Sequence, residues 1–494
     1  MATQTQTIPL TSRQRHHAGT TWAPSEATAD NSSAPILPPV SRKKQASVLL
    51  SAFLTIVLTI GYNQSYGVFQ QYYLSPSQNI LSPSPSSQAT PPTAILAFVG
   101  TLGSGLTWGG SIFVNPLISR IEYGTWSPQT LRSSTRQRRW LLKLLSTRSI
   151  TLSGVFLMTL GLTLASFSTS LWQIVLTQGL LYGLGSSLLY FPLLSPAPEY
   201  FTTHRATALG FILAGAGVGG LAFSPAVRVL LSVLGGRWTL RAYALFLLVV
   251  GTPIAWVVPR SRFPAVSAGP ASEDAEADAQ QQRRRGTHVS RALALQPAFL
   301  LSAVAAFLQS AGAQLPLSFI PSYSVALGLD SSKGATLLAA SSAINAVSRV
   351  ATGYLGDRLG RQNTLVLTVL LAMSSVFAFW QTSVSGDSGS LWLAFIVVYS
   401  ITAGGYYALF PATIAEVFGI RQYAAVNGFI YFIRGLGTMF GSPVGGQLLG
   451  KVTDGPNAYA RIVYWDGALL LGATICLAGV RCVDARGKGW NWVA

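Results

Sequence analysis

Two arginines stand inside long apolar stretches of the sequence, where charged side chains are rare. Arg349 lies in the run that precedes Leu355, and Arg434 lies in the segment FIRGLGTMFGSPVGG. A lone cation near the centre of a bilayer costs about 2.5–3.5 kcal/mol on insertion scales, so it usually faces a cavity or a partner. Because a guanidinium can hold a carboxylate through two parallel hydrogen bonds, both residues are candidate anion-binding groups. The alternative for each is a structural arginine bonded to backbone carbonyls.

A cluster of charged residues follows Arg349 at the end of the same apolar run. It lies in the stretch GYLGDRLGRQ and comprises Asp357, Arg358 and Arg361, with Gly353 and Gly360 beside them. Such charges are stable where a helix leaves a membrane or where they pair with each other. One interpretation is a pairing site between helices, with Gly353 allowing close approach. The other is a helix end whose charges complement the helix dipole.

Two distant stretches of the chain share an ordered set of residues. FPLLSPAPEYFTTHRATALG, which starts at Phe191, and FPATIAEVFGIRQYAAVNG, which starts at Phe410, each contain Phe-Pro, then Glu, then Arg, then Gly. Fourteen residues after that Gly, each has Ser-Pro. The series indicates two related halves. Glu199, Arg205 and Glu416 belong to it, and they are candidates either for charge pairing at a gate or for solvated charges at helix ends.

The composition indicates which elements position these residues. Of 494 residues, 50% are hydrophobic and 10% are charged, less than half of the charge content of a soluble domain. The apolar runs are about 20 residues long, the length needed to cross about 30 Å of hydrocarbon. We therefore predict an all-α membrane protein with twelve transmembrane helices. The predicted spans are 48–69, 94–118, 149–167, 171–194, 206–232, 239–258, 297–320, 334–355, 363–381, 390–412, 424–449 and 461–481.

The predicted spans divide into two bundles of six. The first bundle covers 48–258 and the second covers 297–481, with a polar linker at 259–296 whose low complexity favours disorder. Residues 1–47 are a predicted disordered tail, and 482–494 are a short C-terminal tail. Two parallel halves of six spans are one arrangement of secondary transporters, with the site between the halves near the midplane.

The positions of lysine and arginine predict the orientation of the chain. With twelve spans both termini lie on one side, and that side carries 25 of the 33 Lys and Arg residues, against 6 on the other side. Such an excess marks the cytoplasmic side. We therefore expect a multi-pass protein of the cell membrane with both termini in the cytoplasm.

Composition and motifs argue against several classes of protein. The net charge of +18 is spread over short loops, which is not the pattern of nucleic-acid binding. The two cysteines and four histidines form no disulfide or metal-ligand pattern. Neither a nucleophile constellation nor a Gly-x-x-x-x-Gly-Lys loop occurs, so an enzyme or an ATP-driven pump is unsupported. We expect no metal and no cofactor, and the expected partners are the lipid bilayer and a small-molecule substrate.

The charged stretch resembles a known family motif. GYLGDRLGR is similar to G-x-x-x-D-R-x-G-R of the major facilitator superfamily, and Gly353, Asp357, Arg358, Gly360 and Arg361 all match. The resemblance implies the major facilitator fold, with two pseudo-symmetric six-helix bundles. It also implies a gate whose charges pair at the cytoplasmic interface in one state and separate in the other. A degraded copy of the motif near Pro116 precedes an insertion at 125–148, which contains RQRRWLLKLL and is either an interfacial helix or an error in the gene model.

A second resemblance concerns the substrate. EYFTTHRATALGFILAGAGVGG, which starts at Glu199, resembles the fourth-to-fifth-span signature of monocarboxylate porters, and GYNQSYGVFQQYY resembles the end of the first span in fungal members. The resemblance implies a carboxylate substrate, with Arg349 at the position of the substrate-binding arginine. Asn345 stands where animal porters have an aspartate, and Gln64 stands where they have a lysine.

These departures leave the binding site and its coupling partly open. The candidate substrate-binding residues are Arg349, Asn345, Gln64, Tyr66 and Arg434, and Tyr62, Tyr190, Tyr406 and Tyr407 either line the cavity or anchor at interfaces. The two amides cannot carry a proton, and Asp466 is expected near the outer end of the last span. Proton coupling therefore has no identified carrier, which leaves either facilitated exchange or a different carrier.

The function expected from the sequence is transport. The chain is predicted to be a symporter or facilitative transporter that moves a small organic solute, a monocarboxylate-like anion, by alternating access. One alternative is an efflux transporter of a fungal secondary metabolite. The missing aspartate and lysine slightly favour a solute other than a simple monocarboxylate. A second alternative is a non-transporting membrane sensor on the same scaffold.

Overall fold

Helices account for almost all of the described chain. The computed structural model describes residues 40–75, 78–81, 93–124, 146–201, 205–259, 289–386, 388–450 and 452–488. No strand occurs within these ranges. The predicted insertion motif RQRRWLLKLL, most of the predicted N-terminal tail and most of the linker lie outside them.

Twelve long helices follow one another along the described chain. They are α1 (Arg42–Leu74), α2 (Thr93–Gly109 continued by Ser111–Gly124), α3 (Thr147–Ala165), α4 (Leu171–Leu194), α5 and α6 (together Arg205–Trp256), α7 (Pro297–Ala326), α8 (Ser331–Leu359), α9 (Arg361–Gly386), α10 (Gly389–Val417), α11 (Ile420–Leu448) and α12 (Ala460–Lys488). Short helices also occur at Ala197–Tyr200, Arg291–Ala294 and Val452–Tyr459.

Helices α5 and α6 form one helical run of 52 residues that is bent at Gly235. A straight helix of that length would extend about 78 Å, more than twice the thickness of the hydrocarbon layer, so the run supplies two crossings. Gly235 has a φ of 73°, which other residues rarely adopt. The next backbone N–H, from Gly236, donates to the Tyr72 hydroxyl and to Asn79 Oδ1, both at 3.1 Å. The joint between α5 and α6 is thereby attached to the end of α1 and the loop that follows it.

The outer faces of the helices are apolar, as a lipid solvent requires. Phe156, Val229, Leu245 and Ile475 each expose about 60% of their surface. Nine helices of the described chain are long and apolar enough to cross a membrane, counting α5 and α6 as one. The described helices α8 and α11 fall short, because charged and small polar residues dilute their apolar content.

Within the described ranges, three helices contain a wide, π-type turn. These turns lie at Val57–Gly61 in α1, Val175–Leu181 in α4 and Val376–Gln381 in α9. Such turns are frequent at functional sites because they rotate the residues that follow them. The turn in α1 immediately precedes the segment that contains Gln64.

The most extensive contacts between the two halves are made by two pairs of helices related by the internal repeat. Helix α5 packs on α8, and α11 packs on α2. Because α5 corresponds to α11 and α2 corresponds to α8 in the internal repeat, the two pairs are equivalent. The close approach of these helices depends on glycine. A side chain on Gly210 of α5 would lie 2.6 Å from the Arg349 carbonyl oxygen. A side chain on Gly435 of α11 would collide with the carbonyl oxygen of Gly105 in α2. This arrangement agrees with the predicted twelve-helix fold of two pseudo-symmetric bundles.

Several helix bounds differ from those predicted. Helix α1 begins at Arg42, six residues before the predicted span, because the basic cluster at the end of the tail is itself helical. Helix α12 continues to Lys488, into the predicted C-terminal tail. The span predicted to end at residue 412 continues to Val417, with Pro411 inside α10. Prolines are tolerated in membrane helices because neighbouring helices satisfy the freed backbone groups.

Candidate substrate site and gate

A small cavity lies between the two halves, near the middle of the helices. Its volume is about 20 Å³, which is enough for about one water molecule. The residues that line it come from both halves: Ile56, Ile60, Asn63, Gln64, Ser104, Trp108, Leu213, Ala216, Gln314, Arg349 and Tyr407. The described conformation is therefore closed around a polar site too small for an organic solute.

Arg349 reaches this cavity from α8 and is almost fully buried. Its Nε donates to Asn345 Oδ1 at 2.8 Å, and its Nη1 donates to the Leu213 carbonyl oxygen at 2.5 Å. Its guanidinium carbon lies 4.5 Å from the centre of the Tyr407 ring. These two bonds use two of the five N–H donors of the guanidinium. The side chain thus combines both sequence interpretations, since it is bonded to a backbone carbonyl and also borders the cavity.

The bond to Leu213 crosses between the halves. Leu213 belongs to α5 of the first half, and Arg349 belongs to α8 of the second. A main-chain oxygen of one half is therefore held by the cation of the other in this closed form.

Arg434 is equally buried, but its surroundings are aromatic. Its guanidinium carbon lies 4.1 Å from the Trp108 ring, 4.6 Å from Tyr407 and 5.3 Å from Tyr431. Its Nε has no hydrogen-bond partner among the described residues. Cation–π contacts with desolvated rings are worth about 2 kcal/mol or more. Arg434 is not among the residues that line the cavity, whereas Trp108 and Tyr407 are.

The remaining candidate binding residues occupy different places. Gln64 lines the central cavity and also a second cavity of about 10 Å³. Tyr66 lines the second cavity, and its hydroxyl donates to the Leu96 carbonyl at 2.8 Å. Asn345 contacts Arg349 instead of the cavity, and its amide donates to the Ser400 carbonyl at 3.3 Å. Asn345 is thus placed to orient Arg349.

The motif residues cluster where α8 meets α9. Gly360 joins the two helices with a φ of 93°, and Gly353 is buried. Arg361 forms an ion pair with Asp357 at 3.0 Å and approaches Glu416 at 3.7 Å. Arg358 is exposed and stacks on the Tyr354 ring at 5.2 Å. We call this end of the bundle the motif side.

Asp357 also connects the halves on the motif side. The backbone N–H and the hydroxyl of Thr207, at the start of α5, donate to Asp357 Oδ2 at 3.3 and 3.2 Å. Nearby, the Ser111 hydroxyl of α2 donates to the Gly428 carbonyl of α11 at 2.6 Å. Glu199 and Arg205 lie in helices close to this region, and their side chains are outside the described residues.

The halves are joined on the opposite side as well. Arg228 of α5 donates to the Ser332 hydroxyl of α8 at 2.6 Å. A side chain on Gly446 of α11 would lie 3.1 Å from the Cα of Ala94 in α2. With contacts at both ends and a cavity between them, the conformation is occluded.

Sequence reasoning missed several residues of these clusters, including Thr207, Trp108, Gln362 and Asp484. Thr207 and Trp108 are ordinary residues of apolar helices and carry no local signal. Gln362 donates to Glu416 at 2.7 Å and to Asp484 at 2.8 Å, and it directly follows the motif. Asp484 lies in the segment predicted as a tail, so its place in the cluster depends on the extension of α12.

Comparisons with known proteins agree with this fold. The family model described as the Major Facilitator Superfamily matches residues 139–442. A solved structure of a D-xylose-proton symporter superposes with a TM-score of 0.60, covering 91% of this chain and 98% of that chain at 14% identity. At that identity the likeness shows the fold alone.

Curated relatives of similar length include fungal transporters. An MFS-type transporter of Gibberella moniliformis is 26% identical and covers 91% of this chain and 93% of its own length. The Agnestins efflux protein AgnL12 of Paecilomyces divaricatus is 24% identical, covering 87% of this chain and 86% of the relative. The zebrafish Danio rerio Monocarboxylate transporter 12-B is 27% identical, covering 69% of this chain and 74% of the relative.

The family match extends over more than half of the residues, and the described helices show the architecture that it requires. The protein is therefore a multi-pass membrane transporter, and the chain belongs to the Major Facilitator Superfamily.

Proposed function

We propose that this protein transports a small organic anion, of the monocarboxylate type, by alternating access of the cavity between its halves. The observation that carries the proposal is the buried guanidinium of Arg349 at the wall of that cavity. Ion pairs among the described residues involve neither this arginine nor Arg434. A carboxylate on the solute would supply the missing charge through the free N–H donors of Arg349.

The two arginines act on the same part of the site. Both guanidiniums lie within 4.6 Å of the Tyr407 ring centre. In this proposal Arg349 binds the solute directly. Arg434, which is separated from the cavity by Trp108 and Tyr407, adds to the positive electrostatic potential in the cavity. Gln64 and Gln314 on the cavity wall would bind neutral polar groups of the solute.

Alternating access requires the contacts at the two ends to open in turn. On the motif side we assign the gate to Asp357, Arg361, Glu416 and Thr207, whose polar contacts connect α5, α8, α9 and α10. On the opposite side the bond between Arg228 and Ser332 is the corresponding contact.

Export of a fungal secondary metabolite is the second candidate. It is favoured by the names of relatives such as the Agnestins efflux protein AgnL12, which covers most of this chain. The same arginine would serve it, since an acidic metabolite offers the same carboxylate. Direction of transport would then separate the two candidates.

The orientation proposed from the sequence assigns the motif side to the cytoplasm of the cell membrane. Its support is the ratio of 25 to 6 for Lys and Arg on the two sides. Fluorescent and protease-sensitive tags at both termini test it, and protection of both tags in intact cells is the expected result.

Uptake by proteoliposomes tests the function. A panel of labelled monocarboxylates, with the matching amides as neutral analogues, is offered to the wild type, to Arg349→Gln and to Arg461→Gln. Arg461 is an exposed arginine near the start of α12 and serves as the matched control. Uptake of an acid but not of its amide, lost only in Arg349→Gln, is expected. Equal uptake by all three proteins would remove the anion site, and no uptake of any compound would favour the sensor alternative.

A further inference from the structure

A buried acid lies in the second half of the bundle, outside the lining of the central cavity. Asp466 lies six residues into α12, about 9 Å along the helix, and its side chain is fully buried. Neither carboxyl oxygen has a hydrogen-bond partner among the described residues. The sequence predicted this residue near the outer end of the span, and the structure encloses it between helices.

The neighbours of Asp466 offer little compensation for a negative charge. On α7, a side chain added to Gly312 would lie 3.0 Å from Asp466 Oδ1. On α10, Tyr399 is the titratable group that faces the carboxyl. On α9, Phe377 packs against Gly467, the residue after the acid. The ion pairs of the described chain do not include Asp466.

An ionised carboxylate is costly in such a place. Removing a charge from water costs several kcal/mol in a real protein unless an opposite charge or several hydrogen bonds compensate it. A neutral carboxyl group avoids most of this cost. The acid is therefore protonated in the closed conformation, and it can ionise only when the surrounding helices admit water.

Helix α7 connects this acid to the central cavity. Pro316 has no N–H, so the carbonyl of Gly312, four residues earlier, lacks its usual helical partner. A helix is easily bent at such a point. Gln314, two residues after Gly312, lines the central cavity. Bending of α7 would thus change the surroundings of Asp466 and the cavity wall together.

We propose that Asp466 is the proton-carrying group of the transport cycle. The carboxylate takes up one proton from the water on one side, crosses to the closed form as a neutral acid and releases the proton to the other side. The proposal rests on the transport function proposed above. It assigns a proton carrier where the amides Asn345 and Gln64 offer none.

Protonation can be tested without any substrate. Difference infrared spectroscopy on the reconstituted full chain at pH 7 compares the wild type with Asp466→Asn, whose amide keeps the shape of the acid, and with Asp466→Ser as a second variant. The carbonyl band of a protonated carboxyl group is expected in the wild type and in Asp357→Asn, and it is expected to be missing from both Asp466 variants. A band of equal size in the wild type and in the folded variants would overturn the proposal.

Coupling is tested with labelled lactate in proteoliposomes. Asp466→Asn should retain lactate exchange when the pH is equal on both sides of the membrane. It should lose the accumulation of lactate that a pH gradient drives. In the wild type this accumulation reaches up to about tenfold per pH unit if one proton moves with each lactate. Accumulation by the variant equal to that of the wild type would refute the carrier. If the wild type does not exchange lactate, the proposed monocarboxylate function fails for this solute, and the infrared result alone decides on Asp466.

Discussion

An acid placed beside Arg349 should weaken the binding of an anionic solute. Asn345 Oδ1 already lies 2.8 Å from Arg349 Nε, so Asn345→Asp puts a carboxylate in the same position with little change of shape. At about 4 Å between charge centres and an effective dielectric constant of about 20, opposite unit charges attract by about 4 kcal/mol. If the attraction between Arg349 and a bound anion falls by only a third of that energy, the affinity for the anion falls about tenfold.

The assay is the concentration dependence of uptake of the carboxylate that the wild type transports. Asn345→Ala is the matched control, because it removes the acceptor of the Nε hydrogen bond without adding a charge. We expect a small loss of affinity in Asn345→Ala and a loss of at least about tenfold in Asn345→Asp, with a melting temperature that shows both variants to be folded. An affinity in Asn345→Asp equal to that of the wild type would refute the competition between this carboxylate and the bound anion for Arg349.

Three further substitutions address closure and stability. Thr207→Val removes the hydrogen bond from the Thr207 hydroxyl to Asp357 and should weaken closure on the motif side by about 1 kcal/mol. Labelling of a cysteine introduced on the motif side should then rise about fivefold. Unchanged labelling would count against that gate. Gly435→Ala should abolish transport because its methyl group collides with the backbone of α2, whereas Gly389→Ala, with open space around it, should transport normally; equal activity of both would contradict the packing argument. Trp108→Leu should lower stability by about 2 kcal/mol through loss of its cation–π contact, and an unchanged melting temperature would refute that contribution.

The arginines show how far sequence reasoning extends into the site. The burial of Arg349 and Arg434 follows from their place in apolar runs, because an exposed cation in lipid is costly. The partners do not follow. The Leu213 carbonyl that holds Arg349 is a main-chain atom 136 residues away, and every residue type would supply it. The rings around Arg434 come from three helices, whose rotation about their axes depends on the packing of the whole bundle.

The fold was more predictable than the ends of its helices. The number of crossings follows from the lengths of the apolar runs together with the internal repeat, because α8 and α11 are less apolar than the other helices. The bend that separates α5 from α6 coincides with the predicted gap between spans. The polar ends of α1 and α12 extend beyond the apolar part, since helical hydrogen bonding continues where the lipid stops. The enclosure of Asp466 between helices was not predicted for a related reason: hydropathy indicates where a span begins, but not which neighbours cover each of its residues.

The attachment of Gly236 to Tyr72 and Asn79 has a mechanical consequence. One hydrogen bond joins the bend between α5 and α6 to the end of α1, and a second joins it to the loop that follows α1, so a tilt of any one of these helices is transmitted to the other two. The rim of the first half on this face is thereby linked across three helices. Helix α7 of the second half, with prolines at 316 and 321, packs against α1 near Gly67, so bending of α7 acts directly on this part of the first half.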